Sequence, residues 1–186
     1  FSAIAAILMV LEFPVPFAPS FYGLDFSELP ALIGAFAYGP VAGVMIEFCK
    51  ILIKLVLKPS STAFVGELAN FSISCMLVLP ASVIYLFKKS RKQAILGTVV
   101  GTLIMTAFGS CFNAIYLLPK FSELYGIPLD AIIGMGTAIN PAIHSISGLV
   151  LMCVVPLNLL KGGLVSLITI LVYKKLSPIL KAAHKQ

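Results

Sequence analysis

Long apolar runs, each closed by proline, glycine or a knot of charge, follow one another along almost the whole chain. The first covers 1–13 and is stopped by Pro14, Pro16 and Pro19; the second, 26–38, turns at Gly39-Pro40. The third, 41–57, ends on Lys58-Pro59, and the fourth, 62–87, contains Pro80 and runs into Lys88-Lys89. The fifth, 94–118, stops at Pro119. Runs of this length predict helices. The second would rise only about 20 Å at 1.5 Å per residue, so it is expected to tilt into protein or to lie partly below the lipid surface.

From Pro141 to Tyr173 the chain is apolar again. A single helix of that length would rise about 50 Å against a bilayer core of about 30 Å. Pro156 is the natural break. This predicts a helical part of the fifth connection at 141–155 and a final span at 157–176; alternatively, 141–155 is itself a span. The expectation is an all-α polytopic membrane protein with six transmembrane helices, a long, partly helical connection before the last one, and a single domain over 1–186.

Composition makes the solvent lipid. The chain is 60% hydrophobic and 11% charged, where soluble domains carry roughly 25% charge, and its mean hydropathy is +1.07. The net charge of +6 is no nucleic-acid signature, because no basic stretch is interleaved with aromatics. The charges sort by side instead. Lys88, Lys89, Arg91 and Lys92 form one cluster and Lys174, Lys175, Lys181 and Lys185 another, neither containing an acid. Six spans put both clusters and both termini on the cytoplasmic face of the cell membrane, as the positive-inside rule requires, whereas a seventh would expel one cluster. The connections after the first, third and fifth runs then face outward. The chain opens on Phe1-Ser-Ala, and its short first run predicts further residues upstream; since more spans follow it directly, it is not read as a cleaved signal peptide.

Few residues carry reactive chemistry. There is no phosphate-binding G-x-x-x-x-G-K-[ST] loop. Cys49, Cys75, Cys111 and Cys153 sit inside apolar runs without a C-x-x-C pair, and His144 and His184 are isolated, so neither a metal, a cofactor nor an enzyme is expected. Glu47, Lys50 and Lys54 share a helix face, with Glu67 within reach of the same cluster. A structural ion-pair role is favoured there over a proton relay.

Asn158 and Lys161 stand apart. Spaced three residues, they share a face where the last span is expected to begin. An ionisable residue in a span costs roughly 2.5–3.5 kcal/mol on insertion scales and usually has a purpose. Lys161 either snorkels to the outer interface or donates to oxygens of a polar ligand, with Asn158 able to donate and accept beside it. Asn113 and, three residues on, Tyr116 are expected at the same outward depth. Phe21, Tyr22 and Leu24, with Phe17, sit in the first outward connection, where they would either pack on a flat ligand or form an interfacial aromatic belt.

Two stretches carry a resemblance: Leu24-Asp-Phe-Ser-Glu-Leu-Pro-Ala followed by Gly39-Pro40, and Pro156-Leu-Asn-Leu-Leu-Lys-Gly-Gly. With six short spans and small residues in the first, the chain resembles the substrate-binding S components of energy-coupling-factor (ECF) transporters, most of all the riboflavin-binding members. The resemblance implies a vitamin-capturing subunit that binds riboflavin with high affinity near the outer surface. Riboflavin would be cargo rather than cofactor. The resemblance also implies assembly with a membrane-embedded coupling subunit and two cytoplasmic ATPases. Small residues of the first helix would dock on the coupling subunit; Ser2 and Ala6 have the spacing. Related S components take other vitamins, and a stand-alone proton-coupled carrier using Glu47 or Glu67 is the alternative of a different class.

Overall fold

The computed structural model describes residues 1–182, with side chains through residue 172. Helix α1 (Ser2–Val10) leads into a two-stranded hairpin, β1 (Phe13–Pro14) and β2 (Gly23–Leu24), paired antiparallel with Phe13 opposite Leu24. Helices α2 (Glu28–Tyr38) and α3 (Pro40–Leu57) are separated only by Gly39, whose φ of +98° suits a residue without Cβ, and Pro40 then starts α3 with its fixed φ. Then come α4 (Val65–Phe87), α5 (Arg91–Phe112), α6 (Leu118–Tyr125), α7 (Leu129–Thr137), α8 (Ile146–Leu149) and α9 (Val155–Ala182).

Among the described residues, three continuous helical rods are long and apolar enough to cross a membrane: Val65–Phe87, Arg91–Tyr125 and Ile146–Val172. Helix α3 has 18 residues but carries Glu47, Lys50 and Lys54, which take it out of that class. Helix α2, with 11 residues, is short, as its run predicted. The α4–α5 hairpin is the closest packing. Its turn is capped by Ser90, whose hydroxyl accepts from the Gln93 N–H. A Cβ on Gly97 or Gly101 would lie 2.5 Å from the carbonyl oxygens of Ala81 and Leu77 respectively. Small residues thus let two backbones meet, which is how helices gain dispersion contact where lipid removes the hydrophobic drive.

Two expectations are corrected here. Neither Pro119 nor Pro156 ends a helix. Each is preceded by one widened π-turn, at Asn113–Leu117 and Val150–Val154, closed by Leu118 N–H to the Asn113 carbonyl and Val155 N–H to the Val150 carbonyl. A proline removes one ladder donor and clashes with the carbonyl four residues back; widening the preceding turn absorbs both defects and the helix continues. Residues 146–155 are therefore the first part of the last rod, neither a connection nor a separate span. The stretch 119–140, which follows the expected stop at Pro119, holds the end of the second rod and α7. Asn158 and Lys161 consequently lie in the middle of a helix.

The first helix also differs from expectation. Ala6 is fully buried beside Ala5, so Ser2 and Ala6 do not form an exposed small-residue face. The second basic cluster, from Lys174 to Lys185, lies outside the described side chains.

Candidate ligand-binding cavity

The N-terminal half of α4, the C-terminal end of α5, the hairpin connection and the middle of α9 enclose a cavity of about 630 Å³. It lies at one end of the helices. Ser74 lines it, and the basic turn beginning at Lys88 is 14 residues further along α4, roughly 21 Å away. Its walls are mixed. Phe21, Tyr22, Phe121, Leu117, Ile132 and Val154 give an apolar and aromatic surface, and polar groups gather at two ends.

The deep end is built on Lys161. Its Nζ lies 3.0 Å from Asp25 Oδ2 and 2.7 Å from Glu28 Oε1. Ser74 donates its hydroxyl to the same Glu28 oxygen at 2.6 Å, and Asp25 Oδ1 accepts the Ser27 backbone N–H at 2.8 Å. Beneath them Lys50 pairs with Glu47 one helical turn away, both fully buried, and donates to the Ser27 hydroxyl at 3.1 Å. Burial alone would raise the Asp25 carboxyl, but the ammonium groups of Lys161 and Lys50 and the Ser27 hydrogen bonds outweigh it and hold Asp25 below the usual carboxylate range. Snorkelling is thereby excluded for Lys161: the residue is 9% exposed and doubly paired inside the fold.

Asn158 lies one turn before Lys161 on the cavity wall, and a Cβ on Gly109 would sit 2.8 Å from its Nδ2. Glycine at 109 is what lets the Asn158 amide lie against α5. Asn158 Nδ2 and Asn70 Oδ1, on two lining residues, are buried without a hydrogen-bond partner among the described residues, as is Glu28 Oε2. Such atoms cost about 1–3 kcal/mol each until something pairs them.

Asn113 reaches the cavity from the first π-turn. Its Oδ1 accepts from the Tyr22 hydroxyl at 2.7 Å and its Nδ2 donates to the Gly109 carbonyl at 2.7 Å. Burial, and to a smaller extent Cys153, push the Tyr22 phenol above its usual range, so it stays a neutral donor. Phe21 packs on Tyr22 with ring centroids 4.6 Å apart and the planes tilted by 46°, and it meets Phe121 edge-on at 6.2 Å.

Two expected residues lie elsewhere. Tyr116 packs on Phe112 at 5.1 Å on the outer surface and belongs to a separate shallow cleft. In a π-turn a residue three positions on no longer shares the face of Asn113, which is why spacing misplaced it. Leu24 is buried in the apolar cluster behind the hairpin, next to the site without lining it.

The mouth combines one pair as buried as the deep end with one that meets solvent. Lys54 pairs with Glu67, which also accepts from the Ser60 hydroxyl at 2.8 Å and the Thr62 hydroxyl at 3.0 Å. Lys58 lies 3.4 Å from Glu12 with both side chains about half exposed. Tyr125 donates to the Ser61 carbonyl at 2.8 Å, tying the end of α6 to the α3–α4 loop. Among the described residues no cluster could hold a metal ion, and His144 is exposed.

The residues that sequence reasoning missed at the deep end are Asp25 and Glu28. Their signal was present: a second polar pair at spacing three, entering α2 as Asn158 and Lys161 enter the cavity from α9.

Known proteins resemble this chain along nearly its whole length. The family described as "ECF transporter, substrate-specific component" matches residues 1–173. The chain is 34% identical over 180 residues to the riboflavin transporter RibU of Staphylococcus aureus (strain TCH60), covering 97% of this chain and 88% of that protein. It is 32% identical over 180 residues to the riboflavin transporter FmnP of Bacillus subtilis (strain 168), with 95% and 88% covered. A solved structure described under "Structure and mechanism of the S component of a bacterial ECF transporter" superposes with a TM-score of 0.72 at 36% identity, covering 97% of this chain and 92% of that one.

Proposed function

The chain belongs to the family of substrate-specific components of ECF transporters, and on that premise we propose that it is a high-affinity riboflavin-binding S component. In this reading it captures the vitamin at the extracellular side of the cell membrane. It releases the vitamin inward only when joined to a membrane-embedded coupling subunit and two cytoplasmic ATPases. The protein is not an enzyme: its relatives are named as transporters. Six spans with both termini cytoplasmic fit this role, since the cavity lies at the opposite end of α4 from the basic turn at Lys88, Lys89, Arg91 and Lys92.

The observation that carries the reading is the pairing of donor-rich groups with an aromatic wall in one cavity of about 630 Å³, which is ample for a three-ring ligand with a polyol tail. The edge of a flavin ring alternates carbonyl oxygens with an imide N–H. Lys161 supplies donors only, and the amides of Asn158 and Asn113 each supply a donor and an acceptor. A turned Asn158 amide would pair its orphaned nitrogen with a ring carbonyl. Phe21 and Tyr22, backed by Leu24, cover the ring face. The hydroxyl-rich mouth at Ser61, Thr62 and Glu67 suits the polyol. Tyr116 has no direct role in this arrangement.

Purification tests the proposal. The protein should emerge yellow, or bind added riboflavin with quenching of its fluorescence. A colourless preparation that binds no added riboflavin would reject it.

A further inference from the structure

Lys161 is the cation best placed to meet a cavity occupant, and a lone ammonium there would attract anions. It is not alone. Asp25 Oδ2 and Glu28 Oε1 lie 3.0 and 2.7 Å from its Nζ. The charged groups packed around the deep end are Asp25 from the hairpin connection, Glu28 from α2, Glu47 and Lys50 from α3, and Lys161 from α9. That is three carboxylates against two ammonium groups. The remaining wall contributes the Ser74 hydroxyl from α4, Asn113 beyond α5 and the Tyr22 phenol, none of them cationic, and the neighbouring Cys75 thiol is buried without lining the cavity. The other lysines lining the cavity, Lys54 and Lys58, are at the mouth and matched by Glu67 and Glu12.

We propose that Asp25 and Glu28 determine specificity by cancelling the charge of Lys161, so that the deep end accepts a neutral ring bearing carbonyl and N–H groups and rejects the same ring as an anion. The inference rests on the flavin reading above and adds to it which charge state of the ligand is taken. With its charge cancelled, Lys161 still offers N–H donors to carbonyl oxygens. An anion brought to the same place meets no net positive charge in a medium of low polarity, where repulsion by a surplus carboxylate is weakly screened. Glu28 Oε2, buried and without a hydrogen-bond partner among the described residues, is that surplus acceptor.

Riboflavin is itself the probe, because its imide N–H ionises in alkali with a change in absorbance. In a pH jump of the wild-type complex, bound flavin should ionise at a higher pH than free flavin. Glu28→Gln keeps an acceptor for Lys161 and Ser74 but removes the charge. It should bring ionisation of the bound flavin about one to three pH units below the wild-type complex, the range of a neighbouring charge effect. Asp25→Asn should act in the same direction, and it carries the test if Glu28→Gln fails to fold. A wild-type complex whose flavin ionises earlier than free flavin, or a folded variant that leaves the ionisation unmoved, overturns the inference while leaving the flavin reading intact. Wild-type protein that takes up no riboflavin at neutral pH overturns both.

Discussion

The two ends of the cavity use the same residue types to different effect. At the mouth, Lys58 and Glu12 are about half exposed and 3.4 Å apart; water and salt screen them, and pairs of this kind contribute at most about 1 kcal/mol. At the deep end, Lys161, Asp25 and Glu28 are all buried, and both carboxylates pair with the one ammonium group. There each charge has been taken out of water, and removing one partner strands the others. The lesson is that lysines lining one cavity are not equivalent: one is a surface feature, the other fixes both the fold and the binding groups.

The largest effect that would separate the ends is Lys161→Met. It leaves two carboxylates buried together, and should cost about 3–5 kcal/mol of stability, seen as a lower melting temperature in detergent, with loss of flavin binding. A variant that melts like wild type would erase the distinction. Acid should act on the same end. Because the Asp25 carboxyl is held below its ordinary value of about 3.8, its stabilisation is fully present above that value and is lost as pH falls through the lower folded one. Binding should therefore be insensitive to Asp25 between about pH 5 and 8 and fall only below about pH 4, measured as flavin retained after acid dilution. A loss centred near neutrality would point to a different group.

Gly109→Ala is a finer probe. Its Cβ would lie 2.8 Å from Asn158 Nδ2, so the amide must move, and riboflavin affinity should fall by about 5- to 150-fold, the equivalent of about 1–3 kcal/mol for a mispaired polar group. Unchanged affinity would remove Asn158 from the ring edge. Smallest of all, Lys58→Ala at the mouth should change stability by no more than about 1 kcal/mol, and a larger loss in the same melting assay would show that the mouth pair does more than its exposure suggests.

Much of this was legible in the chain. The runs at 26–38, 41–57 and 62–87 match α2, α3 and α4 to within a few residues, because apolar length and the Gly39-Pro40 and Lys88-Lys89 stops are local signals. The two prolines misled because a proline reads as a breaker, and the widened turn that tolerates it leaves no mark in composition. The same widening carried Tyr116 off the Asn113 face. Lys161 was visible as costly and therefore purposeful, but its partners lie 136 and 133 positions earlier in sequence, at Asp25 and Glu28. Such a pairing depends on how α2 packs on α9, which no periodicity records. Asn158 was found by its spacing from Lys161, and the glycine that makes room for it is seen only once α5 lies against α9.

The central claim is that the Asn158–Lys161 face holds the ring of one riboflavin. It is tested most directly by titrating wild-type protein with riboflavin and following fluorescence quenching, beside Asn158→Leu. The account predicts saturation at one flavin per chain for wild type and an affinity about 5- to 150-fold weaker for the variant. Two superimposable curves, or no saturable quenching by wild type, would contradict it.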